Sequence, residues 1–386
     1  MTKTISSELQ AMGVNQVLSP TIDVIRELRW GRVEESFGED PFLVSQMGVH
    51  EINGYIDGGV SPMLKVFGPH GVPTSGLNLA STEANERDLR EVYLKPYEVA
   101  VKKTGVNSVM TAYNSTNRIP NTASKWLLTD LLRTEWGFKG YTYSDWGAVS
   151  MLYGFHKVAS SVNEAVKMAL IAGTDLEASS DCYENLVEMV RTGEIDVKYV
   201  DLACSRVLYA KIKAGLFEHP YGLPMEEYDK RVRTKENVAL SRKISEESVV
   251  MVKNEGNLLP LDIKKLKSVA IIGPNADQVQ FGDYTWSRNN KDGITPLKGI
   301  QKLVGNHLTV NYAAGCDLVS DDKSGFSEAV AIAQKSDVVL MFVGSASASL
   351  ARDYKNATCG EGYDLTDLNL TGVQADLVRL LLLPKN

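Results

Sequence analysis

A chain of 386 residues has room for two or three domains and a large core. Its hydrophobic fraction of 44% and charged fraction of 23% are ordinary for a globular protein. With 41 Lys and Arg against 48 Asp and Glu, the net charge of −7 disfavours nucleic acid or an anionic membrane as partner, and no apolar run approaches the roughly 20 residues of a membrane span.

The opening residues Met1-Thr2-Lys3-Thr4-Ile5-Ser6 lack the apolar core of a signal peptide. A cytoplasmic location, or a secreted one whose leader is absent from this chain, is therefore expected. Over about the first 215 residues, short apolar runs alternate with longer amphipathic ones, the pattern of a parallel α/β fold. Strands are predicted over 14–19, 63–67, 106–112, 140–144 and 171–176, and helices over 82–103, 126–136, 162–171, 183–192 and 197–214. Pro96 should end or kink the first helix.

Gly215 and His219-Pro220-Tyr221-Gly222-Leu223-Pro224, followed by a charged run to Arg233, mark a linker over 218–245. It divides a barrel-like unit, 1–217, from a second α/β unit, 246–386. In the latter, strands are predicted over 268–273, 308–312 and 338–343, with helices over 327–335 and 371–383. The charged patch 262–267 reads as a solvated face. Ile271-Ile272-Gly273-Pro274-Asn275 is a strand-to-loop turn without GxGxxG spacing, so no nucleotide site is read there.

Cys182, Cys204, Cys316 and Cys359 form no CxxC pair, and the five histidines form no HExxH. Neither a metal nor another cofactor is expected. One stretch stands out: Tyr141-Thr142-Tyr143-Ser144-Asp145-Trp146-Gly147, a short apolar strand that stops at an acid, an indole and a glycine. A carboxylate ending a strand of an α/β barrel sits at the active face. The local sequence equally allows Asp145 to cap the next helix.

Other polar clusters fall at predicted strand ends or in loops. Arg29-Trp30-Gly31-Arg32 precedes Glu35-Ser36-Phe37-Gly38-Glu39-Asp40-Pro41, and Lys65 lies five residues before His70-Gly71. Tyr113-Asn114 ends another strand, and Gly360-Glu361-Gly362-Tyr363 forms a loop of the second unit. Acids, bases, Tyr and Trp without a metal fit carbohydrate chemistry. Glycoside hydrolysis uses one ionised and one protonated carboxyl group beside the sugar, and indole faces stack on apolar sugar faces.

Together with Ser75-Gly76-Leu77-Asn78-Leu79-Ala80, Lys253-Asn254-Glu255-Gly256-Asn257-Leu258-Leu259-Pro260 and Ile272-Gly273-Pro274-Asn275-Ala276, these strings resemble the β-glucosidase branch of glycoside hydrolase family 3, along nearly the whole chain. The resemblance implies a partial TIM-like (β/α) barrel followed by an α/β sandwich, with the active site between them. It implies a retaining exo-β-glycosidase that removes terminal β-D-glucosyl or β-D-xylosyl units, from a β-linked oligosaccharide or an aryl or alkyl β-glycoside. Asp145 takes the nucleophile's role and Glu361 that of acid/base. Arg32 and Lys65 hold sugar hydroxyls, Tyr113 bonds near the nucleophile, Trp146 lines the pocket, and His70 matches a nearby, structural histidine.

The sequence also departs from the family. Val66 stands where a histidine that bonds the sugar is usual, so a sugar-facing Val66 is expected. Only about five of the eight barrel strands are found, and the chain closes soon after an apolar helix at 371–383. Open sheet edges lead to the expectation of a homo-oligomer. They also open two alternatives to an active glycosidase: a catalytically impaired member that only binds sugar, and a fragment completed by a partner chain.

Overall fold

The computed structural model describes residues 1–285, 287, 290–348 and 357–382. Two compact units emerge. One comprises Met1–Glu27 and Glu35–Val249, the other Leu28–Glu34 and Val250–Asn386.

In the first unit, α1 (Thr2–Ala11) is followed by a two-residue strand, β1 (Gln16–Val17). Helix α2 (Pro41–Asp57) begins where the Asp40 side chain accepts from the Phe42 amide and Pro41 takes the first helical position. Strand β2 (Ser61–Pro62) pairs in parallel with β1, and β3 (Leu64–Phe67) follows. The helix expected over 82–103 is broken into α3 (Glu86–Asp88), a π-type turn at Leu89–Tyr93, and α4 (Lys95–Lys103) with Pro96 in its first turn. Asn85 caps α3 through its side chain, so 82–85 lie outside the helix. The interruption falls where Pro96 withholds a donor.

After β4 (Ser108–Thr111) comes a small hairpin of β5 (Ser115–Thr116) and β6 (Ile119–Pro120), then a π-type helix at Trp126–Glu135. Strand β7 (Tyr141–Trp146) leads into α5 (Ala148–Gly154), α6 (Val162–Ala172) and β8 (Leu176–Ala178). The strand predicted over 171–176 is thereby corrected. Ala169, Leu170 and Ala172 complete the buried face of α6, Gly173 ends it, and pairing starts only at Leu176. A short apolar run cannot by itself distinguish the end of a helix from a strand.

The strands β3, β4, β7 and β8 form a parallel sheet in that order, and a parallel bridge between Thr21 and Lys65 adds a segment beside β3. Side chains go to two faces of the sheet, and an irregularity on β3 between Leu64 and Phe67 shifts the simple alternation there. Leu64, Phe67 and Val109 join Val44, Tyr97, Leu128 and Leu131 under α2, α4 and the Trp126–Glu135 helix. On the other face Met63, Val66, Met110, Ala112 and Tyr141 form a separate apolar cluster.

Beyond β8 lie α7 (Leu186–Arg191) and α8 (Val197–Lys213). Buried Asp175 ties α8 to the sheet: its carboxylate takes Arg206 of α8 at 2.7 Å, Arg133 at 2.6 Å and the Thr142 amide at 2.9 Å. Burial pushes the Arg133 guanidinium down to about 10, against the pull of Asp175. Two helices, α9 (Glu226–Arg231) and α10 (Lys235–Glu247), occupy most of the stretch expected as a linker.

In the second unit β9 (Ser268–Ile272), α11 (Pro296–Val304), β10 (Thr309–Ala313), α12 (Phe326–Gln334), β11 (Val338–Met341) and α13 (Gln374–Leu382) make a layered α/β fold. The parallel sheet runs β10-β9-β11. Ala270 and Ile272 pack on Ala329, Ala333 and Leu377 of α12 and α13, whereas Val269 and Ile271 pack on Leu297 of α11. Near-continuous apolar strands with helices on both faces are what a parallel sheet demands. Helix α11 is not among the elements predicted from the sequence, although Thr295 caps it and Pro296 opens it. Residue 383, the expected end of the last helix, and Pro384-Lys385-Asn386 lie outside the described residues.

Candidate active site

The four parallel strands of the first unit bring their carboxyl ends to one edge, where an α/β fold binds ligands. Asp145 lies at the end of β7 there and is buried, at 6% exposure. Its Oδ1 accepts from the Trp146 amide at 2.8 Å. It does not cap the following helix: the N-cap of α5 is Gly147, at φ 75°, a left-handed conformation that suits glycine. Ser144 fixes the strand end sideways, its Oγ accepting from the Ala178 amide of β8 at 2.9 Å. Tyr143 shares a face with Asp145, and burial together with the Asp145 carboxylate pushes its phenol up.

Strand β4 pairs with β7 through Met110 and Tyr143. Tyr113 lies two residues beyond the last residue of β4, Thr111. The Tyr113 carbonyl accepts from His156 Nε2–H at 2.9 Å. Lys65, on β3, places its Nζ 4.0 Å from Glu35 Oε2, with both side chains 11% exposed. Trp146 is 68% exposed, so its indole is open to a ligand. His70 is fully buried, its Nε2 donating to the Asn78 carbonyl at 2.7 Å and its backbone amide to Asp23 Oδ1 at 3.0 Å.

Val66 corrects an expectation. Rather than facing an open site, it has no solvent exposure and sits among Met63, Met110, Ala112 and Tyr141. An imidazole there must fit into a filled apolar cluster. Val66→His should therefore lower stability by about 1–3 kcal/mol and bring no gain in turnover. A thermal melt with steady-state kinetics checks both, and a rise in kcat/KM without loss of stability would contradict this placement.

Burial holds the His156 imidazole below its ordinary value, outweighing the bond to Tyr113. The unfolded chain thus binds the proton more readily. Stability is full above the unfolded value of about 6.5 and falls as the pH drops through it. The melting temperature should decline from about pH 7.5 to 5.5, and His156→Gln should flatten that decline. An unchanged slope would show that His156 does not titrate with unfolding.

The second unit holds the other two expected site residues. Segment Leu28–Glu34 is bound to the loop after residue 357: the Gly360 amide donates to the Gly31 carbonyl at 2.7 Å, Leu365 to Arg29 at 2.7 Å, and the Gly31 amide to Asp364 Oδ1 at 2.9 Å. A Cβ on Gly31 would lie 2.3 Å from the Gly360 carbonyl oxygen, so this close pairing needs glycine. Arg32, fully buried, thereby meets Glu361 at 3.1 Å, and its guanidinium lies 5.9 Å from the centre of the buried Trp30 ring. Tyr284 donates its hydroxyl to Glu361 Oε2, and Asp283 Oδ2 accepts from the Glu361 amide at 2.7 Å.

Sequence reasoning missed Glu35 as the neighbour of Lys65, and Asp283, Tyr284 and Asp364 around Arg32 and Glu361. Glu35 belongs to the Glu35–Pro41 string, where nothing local gives it a role, and Gly282-Asp283-Tyr284 matches no motif. Among the described residues, no group of three or more His, Cys, Asp or Glu is placed to hold a metal ion, and no helix is long and apolar enough to cross a membrane.

Residues 1–210 match the glycosyl hydrolase family 3 N-terminal domain, and residues 249–382 match the family's C-terminal domain. The chain belongs to glycosyl hydrolase family 3. A β-xylosidase of Formosa agariphila is 39% identical over 97% of this family 3 chain and 54% of its own length. A periplasmic β-glucosidase of Salmonella typhimurium is 32% identical over 96% of this chain and 51% of its own. Among solved structures, a β-glucosidase involved in saponin metabolism from intestinal bacteria superposes with a TM-score of 0.90 at 29% identity, covering 98% of this chain and 54% of that one. The Listeria innocua β-glucosidase in complex with glucose gives 0.87 at 32% identity, covering 99% and 52%. The family 3 chain thus spans about half the length of the curated relatives it matches. Its fold is the family's: a TIM-like barrel domain followed by an α/β domain.

Proposed function

We propose that this chain is a retaining exo-β-glycosidase acting on terminal β-D-glucosyl or β-D-xylosyl residues. The observation that carries the reading is Asp145, a buried carboxylate at the carboxyl end of a parallel strand, with an exposed indole as its neighbour. The names of the similar β-xylosidase and β-glucosidase proteins support the two sugar classes.

In the first step Glu361 gives its proton to the glycosidic oxygen. The bond from the anomeric carbon breaks, its electron pair leaves with the aglycone, and an Asp145 oxygen bonds that carbon. Water then attacks the glycosyl ester, Glu361 takes the water's proton, and Asp145 departs as carboxylate. Arg32 and Lys65 hold sugar hydroxyls, Tyr113 hydrogen-bonds near the nucleophile, and Trp146 offers its face to the sugar. His70 keeps the Asn78 segment in place. No step requires a metal or another cofactor.

Hydrolysis of p-nitrophenyl β-D-glucoside and β-D-xyloside by the 386-residue chain tests the reading. Release of nitrophenol from at least one supports it, and binding of either sugar without turnover would overturn it in favour of an impaired member. The reading includes association into a homo-oligomer. Val249, Val250 and Val252 are 77%, 79% and 92% exposed in a short apolar run, which supports it. Light scattering of the purified chain decides the point.

A further inference from the structure

We infer that Asp283 and Tyr284 are the positioning pair for Glu361, setting the direction in which its carboxyl group points. The inference rests on the reading of Glu361 as acid/base. All the contacts lie within the second unit. Glu361 is held at three points. Arg32 Nη1 meets Oε1 at 3.1 Å, the Tyr284 hydroxyl donates to Oε2, and the backbone amide donates to Asp283 Oδ2 at 2.7 Å. The other oxygen of Asp283 accepts from the Tyr284 amide at 2.9 Å. One carboxylate therefore clamps the backbone of Glu361 and that of Tyr284 together.

The clamp matters because the Glu361 side chain has three rotatable bonds and is 27% exposed. Left alone, it would sample several staggered rotamers, and only some would direct an oxygen at a glycosidic bond. Arg32 alone fixes one oxygen and leaves the plane of the carboxyl group free to swing. Tyr284 fixes the second. Tyr284 itself has a left-handed backbone, at φ 61°, uncommon for a residue other than glycine. The bond from the Tyr284 amide to Asp283 holds that turn closed. Neither Asp283 nor Tyr284 is assigned to contact sugar. Their action is exerted through Glu361.

Tyr284→Phe keeps the ring and removes only the hydroxyl. With a phenyl β-glycoside, whose departure needs a well-aimed proton, kcat/KM should fall about tenfold. With the 2,4-dinitrophenyl β-glycoside, which leaves unaided, it should change less than about twofold. The melting temperature should stay that of the parent chain. A purely structural role would lower both substrates equally, and that result, or no change on either, overturns the inference.

A second measurement does not depend on turnover. Asp283→Ala removes the acceptor of the Glu361 amide, so hydrogen exchange of the peptide over 357–363 should accelerate about tenfold relative to the rest of the unit. Unchanged exchange overturns the clamp. Glu361→Ala is run beside both. If it shows no dependence on the leaving group, the acid/base reading fails, and the positioning inference with it. If it does while Tyr284→Phe does not, only the inference fails.

Discussion

Replacement of Asp145 by asparagine should lower turnover by on the order of 10^4-fold, about 5.4 kcal/mol of transition-state stabilisation, while the melting temperature hardly changes. The amide oxygen of asparagine can still accept from the Trp146 amide, as Asp145 Oδ1 does at 2.8 Å, so the end of β7 keeps its shape. The change is chemical. A neutral amide neither attacks the anomeric carbon nor forms an ester that water can open. Steady-state kinetics on p-nitrophenyl glycosides, with a melt on the same sample, checks both halves. More than a few per cent of parental activity would rule out Asp145 as the nucleophile.

The second large effect concerns Glu361. If Glu361 is the acid, its removal should cost about 10^2- to 10^4-fold on substrates with poor leaving groups and far less on activated ones. Azide should restore turnover of Glu361→Ala on activated substrates, because a small anion can take the emptied place and needs no base to attack. Removing this carboxylate also takes away a partner of fully buried Arg32. Glu361→Gln is therefore the companion variant, since it keeps an acceptor for Arg32 and Tyr284 and is equally unable to shuttle a proton. Equal losses on both classes of substrate, in both variants, would exclude the acid/base role.

Much of the fold was legible because the strands of a parallel sheet flanked by helices are nearly continuous apolar runs. Those at Ser268–Ile272 and Val338–Met341 were found almost to the residue. Failures came where local signals compete. Asp40 and Pro41 close a polar string that reads as loop, yet those two residues open α2, whose apolar pattern follows directly behind them. At Ala169–Ala172 a run that fits either element belongs to a helix, and only Gly173 marks the boundary.

The candidate site was legible to the extent that single residues end a strand or lie between glycines: Asp145 and Glu361 stand out on that ground. Their partners do not, because partnership is a property of the folded chain. Arg32 and Glu361 are 329 residues apart in sequence, and Tyr284 and Glu361 are 77 apart. The expectation for Val66 failed for a related reason. A valine in place of a sugar-bonding histidine suggests a side chain that faces the sugar. Which face of β3 it takes, and what already fills that face, is decided instead by the packing of Met63, Met110 and Tyr141.

The most direct test is covalent trapping. Incubating the chain with a 2,4-dinitrophenyl 2-deoxy-2-fluoro-β-glucoside, and separately with the xyloside, slows the second step and lets the glycosyl ester accumulate. Peptide mass spectrometry should then find one fluoroglycosyl unit on the peptide containing Tyr141–Trp146, attached to Asp145 and absent from Asp145→Asn. A stable adduct on another carboxylate, or hydrolysis of activated glycosides with no adduct at all, would contradict the account.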